Sequence, residues 1–268
     1  MLSSLFHALL FAQAVSGPVS GPASAAVPLE QLRLDQCLAQ ARGDPATAIA
    51  EASTWLRETG GAEASYPQQC LGYAYTLLLR WDAAERTFLA AREAVLQSNP
   101  FRRAQLATMA GNAALADGRG DAALVALALA AADAETSGDD ALRSIVETDR
   151  ARALVMQGNE GEAETALAAA RSLDAQNALA WLLSATLARR LGKLDEAQAL
   201  IETAAALARD YPEVGLEAGV IAMLQGREDA AEASWRSVVE VEPNGEAAAA
   251  ARGYLAQLAT SSQEPAGR

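Results

Sequence analysis

At 268 residues the chain has room for one or two ordinary domains, and its 51% hydrophobic residues include only 5% aromatics, so the apolar content is mostly alanine and leucine. That composition suits closely packed helices and suits strands poorly, which makes the chain all-α. A formal net charge of −13 repels phosphate and argues against nucleic acid as a partner. Otherwise the acidic excess covers solvated faces.

In chain order, residues 1–25 contain no Asp, Glu, Lys or Arg. An apolar run from Leu5 to Ala12 and a small-residue site at Ala23-Ser24-Ala25 resemble a secretory signal peptide cleaved near Ala25. The run is too short to span a bilayer, so no membrane span is expected in the mature chain. The start lacks the basic residues usual in such leaders. The location is therefore periplasmic if the leader works and cytoplasmic if it is spurious. Residues 26–28 form a linker.

Helical patterning begins at Leu29. Gly43-Asp44-Pro45 closes a first hairpin, with Asp44 as cap and Pro45 at the first helical position. The second helix carries Ala48, Ala52 and Trp55 inward and ends at Gly60-Gly61. Leu71-Gly72, Tyr75, Ala84, Phe88 and Ala91 mark the next unit, whose turn at Leu79-Arg80-Trp81 has no glycine. Asn99-Pro100 starts a third, marked by Gly111, Gly118, Ala123, Leu127 and Ala130. The step from Gly118 to Gly158 is 40 residues, and its excess around Ser137–Asp140 predicts longer helices and a looser joint. From there Gly158, Gly192 and Gly226 stand 34 residues apart. A last helical run, Glu246 to Ala259, serves as a terminal cap, and residues 260–268 are expected to be a disordered tail. The repeat domain thus spans 29–259.

Around the evenly spaced glycines, one set recurs at identical offsets: Ala163/Leu167/Ala170, Ala197/Ile201/Ala204 and Ala231/Trp235/Val238. Trp181 and Pro243 fall at the opening and closing positions. The pattern resembles the tetratricopeptide repeat, W-x2-L-G-x2-Y then A-x3-F then P over 34 residues; with the leader, an exported bacterial member is implied. The resemblance implies a right-handed superhelical solenoid of about six helical hairpins with a C-terminal capping helix. It further implies a non-enzymatic scaffold or adaptor holding a peptide or partner protein in a concave groove, in envelope assembly or secretion. The repeat register carries Tyr73, Asn112, Arg152, Thr186 and Val220 to the groove's middle, with Thr76, Leu115, Val155, Arg189 and Met223 one turn later. Arg152 and Arg189 would take a carboxylate, unless they neutralise local acids such as Asp149, and Asn112 would take a backbone amide.

The only histidine, His7, lies in the leader, and no phosphate loop, dinucleotide fingerprint or metal-ligand spacing occurs. The reading is therefore no enzyme, no metal and no cofactor. Cys37 and Cys70, about one repeat apart on the first helices of neighbouring units, form a disulfide or remain two buried thiols. The competing function is a sensor or regulatory module that binds a small ligand or peptide and hinges near Ser137.

Overall fold

The computed structural model describes residues 28–261; the expected leader with His7 and the tail beyond Ser261 lie outside the described residues. Among the described residues there are thirteen α-helices and no strand. They divide into two compact units, one ending at Asn159 and the other starting at Glu160. The first unit contains α1 (Leu29–Gly43), α2 (Pro45–Glu58), α3 (Ser65–Leu77), α4 (Trp81–Ala94), α5 (Pro100–Ala116), α6 (Gly120–Ser137) and α7 (Asp140–Met156). The second contains α8 (Glu160–Leu173), α9 (Ala178–Arg190), α10 (Leu194–Leu207), α11 (Pro212–Leu224), α12 (Glu228–Val241) and α13 (Glu246–Ser261). No described helix is long and apolar enough to cross a membrane.

The helix starts follow the capping residues. Asp44 accepts a hydrogen bond from the Thr47 N–H at 3.0 Å, Asn99 from Arg102 at 3.2 Å, Asp139 from Leu142 at 2.7 Å and Asn177 from Ala180 at 3.2 Å. Each bond satisfies one of the donors that a helix N-terminus leaves unpaired. The long step in the repeat is taken up as helix: α5, α6 and α7 have 17, 18 and 17 residues, whereas α3 and α9 have 13 and α4 and α10 have 14. The joint at Ser137 differs from expectation, because it is packed. Gly138 ends α6 in a left-handed conformation, Asp139 caps α7 at once, and Ala130, Ala134, Leu142 and Val146 share one buried cluster. At the C-terminus α13 runs through Ser261, two residues into the expected tail. The Thr260 hydroxyl bonds back to the Gln257 carbonyl at 2.8 Å, which holds the last turn.

Packing within a hairpin depends on a very small residue facing a large one. A Cβ added to Gly72 would sit 2.6 Å from the Phe88 ring, and one at Gly111 would sit 2.7 Å from Leu127 Cγ. In the second unit Gly219 lies against Trp235 in the same way, while Ala185 packs with Ile201. Phe88, Leu127, Ile201 and Trp235 are all buried. Cys37 and Cys70 stand at bonding distance in a disulfide, with Cα atoms 6.1 Å apart, inside the cluster formed by Leu34, Ala52, Trp55 and Leu71.

The turns that close the hairpins repeat one hydrogen bond. Arg119 N–H reaches the Ala114 carbonyl, Lys193 the Ala188 carbonyl and Arg227 the Ala222 carbonyl, each at 2.9 Å. This closure requires a left-handed residue just before the donor, and Gly118, Gly192 and Gly226 supply it with φ of 71°, 75° and 74°. Arg80 makes the same 2.9 Å bond to the Tyr75 carbonyl, and this forces Leu79 to φ 55°. A leucine there costs about 1–2 kcal/mol, and its side chain is 69% exposed, so burial does not offset the strain. Replacing Leu79 with glycine relieves that strain while adding roughly 0.5–1 kcal/mol of unfolded-chain entropy. We expect a small net rise in the urea midpoint of Leu79→Gly at unchanged slope; a midpoint equal to or below wild type would show that the leucine is unstrained.

Candidate partner-binding face

The residues expected on a partner face lie on α3, α5 and α7 in the first unit and on α9 and α11 in the second. In the first unit Tyr73 of α3 is half-buried, packed against core side chains on both sides. Next to it Thr76 is turned to its own helix, bonding the Tyr73 carbonyl at 2.7 Å. At the C-terminal ends of α3 and α7, Leu77 is 40% and Met156 41% exposed, whereas Leu115 near the end of α5, also expected in the groove, is buried. In the second unit Leu191, Met223 and Leu224 are exposed at the corresponding helix ends.

The polar residues are already engaged. Asn112 of α5 donates to Asp149 Oδ2 at 2.6 Å and accepts from Arg152 Nη1 at 2.8 Å, while Arg152 also bonds Asp149 Oδ1 at 2.9 Å. This closed triangle joins α5 to α7 and leaves Asp149 buried with its charge compensated. Its amide and guanidinium therefore serve the fold first. Arg189 of α9, in the other unit, places its fork on Glu217 of α11 at 2.5 and 3.4 Å. Each arginine expected to receive a carboxylate thus holds one from its own unit. Thr186 bonds its own helix at the Leu182 carbonyl, and Val220 packs among the core side chains around Trp235.

A second charged cluster escaped the sequence reading. Arg92 on α4 donates from Nε to Asp133 Oδ2 on α6 at 2.7 Å, and Arg103 on α5 donates to Oδ1 at 3.3 Å. Arg103 Nη1 also bonds the carbonyls of Arg92 and Val95 at 3.0 and 3.1 Å, capping the end of α4. Three helices therefore meet at one carboxylate. The available signal was Arg102-Arg103 in the first turn of α5, where the helix dipole disfavours cations. Such a pair requires some compensating contact.

Arg103 finds that compensation and Arg102 does not. The Arg102 guanidinium lies 4.2 Å from the centroid of the Tyr66 ring of α3, and its Nε and Nη2 are shielded from solvent without a hydrogen-bond partner. Burial pushes its pKa below the ordinary arginine value, with Tyr66 acting in the opposite direction. Beside Tyr66, one helical turn on, the side-chain oxygen of Gln69 is likewise shielded and unpartnered.

In the second unit, Glu213 at the start of α11 has its carboxyl pushed above the usual range. Burial is the main cause; a bond from its own backbone N–H opposes it, and the charges of Glu242 and Glu246 add to it.

These clusters generate two expectations. Asp133→Asn removes the charge that two buried guanidinia share, and breaking a buried pair of this kind costs about 3–5 kcal/mol; urea unfolding should show a loss of that size, and a loss near zero would mean the cluster is solvated. For Glu213 the folded state binds its proton more tightly than the unfolded chain, so ionisation destabilises the fold and stability returns as pH falls through the raised pKa. Glu213→Gln should therefore melt above wild type at pH 7, with the gap closing as the carboxylate range is entered. A gap constant in pH would assign the effect to packing.

No family model and no curated protein sequence matches this chain. Solved structures do match. PilW, described as a widely conserved type IV pilus biogenesis factor, aligns with a TM-score of 0.66 at 18% identity over 84% of this chain and 99% of that one. PilF of Pseudomonas aeruginosa aligns at 0.60 and 14% identity, over 84% of this chain and 99% of that one. TTC0263, a thermophilic tetratricopeptide-repeat protein of Thermus thermophilus, aligns at 0.55 and 23% identity, over 74% and 100% of the two chains. With the hairpins, the small-against-large contacts and the glycine turns already seen in each unit, these likenesses show that the chain has the tetratricopeptide-repeat fold.

Proposed function

We propose that this chain is a non-enzymatic scaffold of the cell envelope that holds a protein or peptide partner on the face built from the first helices of its hairpins. The observation that carries this reading is the state of that face in the first unit: a half-buried Tyr73 followed by uncovered Leu77 and, on α7, Met156. Apolar side chains left uncovered at the ends of α3 and α7 offer surface that a partner can desolvate. A fold shared with a pilus biogenesis factor supports an assembly role. Placement in the envelope is supported by the leader-like segment 1–25 and by the disulfide, since disulfides persist in oxidising compartments.

The test is in-cell photo-crosslinking with the reactive residue at Tyr73 or Met156, against a control at exposed Glu135 on α6. Capture of one envelope protein from the first two positions and not from Glu135 is expected. Equal capture at all three, or none, rejects the face. A companion measurement addresses the compartment: the protein purified from cells should take up no alkylating reagent under denaturing, non-reducing conditions. Uptake of two equivalents would remove the envelope argument drawn from Cys37 and Cys70.

A further inference from the structure

We infer that the groove between α1 and α2 binds a partner segment through one cationic side chain, an arginine or a lysine, paired with Glu51. The inference goes beyond the scaffold reading and does not rest on it, because none of the residues expected on the partner face lines this groove. Its volume is about 460 Å³, within the range of about 300–1,000 Å³ common for ligand sites. Cys37, Ala52 and Trp55 form an apolar floor, and all three are buried. The disulfide from Cys37 to Cys70 fixes the α1 wall to α3.

The two ends of the groove differ. At one end the Arg33 guanidinium lies over the Trp55 ring, 4.5 Å from its centroid, and 3.6 Å from Glu58, the last residue of α2. The Trp55 indole N–H donates to Glu30 at 2.9 Å. A cation is well placed there, because the negative pole at the end of a helix adds to the Glu58 charge and the ring face attracts the guanidinium. The hairpin is antiparallel, so about two turns closer to its turn Gln40 of α1 comes across from Glu51 of α2. This end has no cation of its own. Among the described residues Glu51 makes no ion pair, and neither it nor the side chains of Gln36 and Gln40 make a hydrogen bond.

The surroundings define the ligand. The lining holds one cation, Arg33, and two carboxylates, Glu51 and Glu58, so one further positive charge brings the groove to neutrality. A long cationic side chain can lay its aliphatic stem on the apolar floor while its head meets Glu51. Gln36 and Gln40 each offer an acceptor and two donors, which suit the peptide backbone that carries such a side chain. An acidic segment would face two carboxylates, and the net charge of −13 likewise draws basic segments and repels acidic ones. An arginine can take both Glu51 oxygens with its planar fork, whereas a lysine supplies a point charge.

The experiment uses the full chain, labelled with nitrogen-15, and follows the indole N–H resonance of Trp55 at the groove floor, assigned through Trp55→Phe. Four probes are titrated: alanine tripeptides, blocked at both ends, whose central residue is arginine, lysine, citrulline or glutamate. A saturable shift with the arginine or the lysine peptide, and none with citrulline or glutamate, supports the site; the tighter of the first two identifies the side chain. No shift with either cation, or a saturable shift with citrulline or glutamate, overturns it. Glu51→Gln keeps the shape and removes the charge, so affinity measured by calorimetry should weaken about tenfold or more. Glu135→Gln, which removes one charge from the exposed face of α6, should leave it unchanged. A loss in Glu51→Gln no greater than in Glu135→Gln also overturns the site, because the attraction would then belong to the overall charge. Neither readout depends on crosslinking at Tyr73 or Met156, so this inference and the scaffold reading fail separately.

Discussion

The structure depends on how closely two helices approach within a hairpin. Where Gly72 faces Phe88, Gly111 faces Leu127 and Gly219 faces Trp235, the large side chain occupies the space a Cβ would need. Interiors are packed to crystal-like density, so this substitution of backbone for side chain sets the helix separation rather than merely tolerating it. An alanine-rich chain with 5% aromatics can then bury its few large residues against backbone and methyl groups alone. The small residues on the second helices, such as Ala84, Ala91, Ala123 and Ala130, are fully buried for the same reason.

Charge is handled within the same frame. The chain has a large acidic excess, yet its shielded carboxylates are held by arginines: Asp133 by Arg92 and Arg103, Asp149 by Arg152, Glu217 by Arg189. The Asp133 and Glu217 groups join separate helices directly, and the Arg152–Asp149 pair, within α7, is joined to α5 through Asn112. Arg102 departs from this pattern, lying over the Tyr66 ring with Nε and Nη2 unpartnered. Leu79 departs from the turn pattern in the same way, since the hydrogen-bond closure determines its backbone whatever residue stands there.

Much of this was legible in the chain itself. The all-α character, the hairpins, the capping residues and the left-handed glycines follow from local rules: spacing, propensity and one-residue conformational limits act within a few positions. The extra residues between Gly118 and Gly158 were also readable as longer helices. The packed joint at Ser137 was not, because it depends on Ala130 and Val146 meeting across two helices.

For the candidate site the division is sharper. Register placed Tyr73, Asn112, Arg152 and Arg189 on the first helices and offered Asp149 as a local acid for the arginines, but it could not say that Asn112 would join Asp149 and Arg152 or that Glu217 would take Arg189. The Asn112–Arg152 and Arg189–Glu217 bonds join side chains 40 and 28 residues apart, and which partners meet depends on distances that no spacing encodes. The sequence by itself determined the repeat and its elements. Only the tertiary structure decided which arginine was left without a carboxylate, because a guanidinium's state depends on every acid within reach in space.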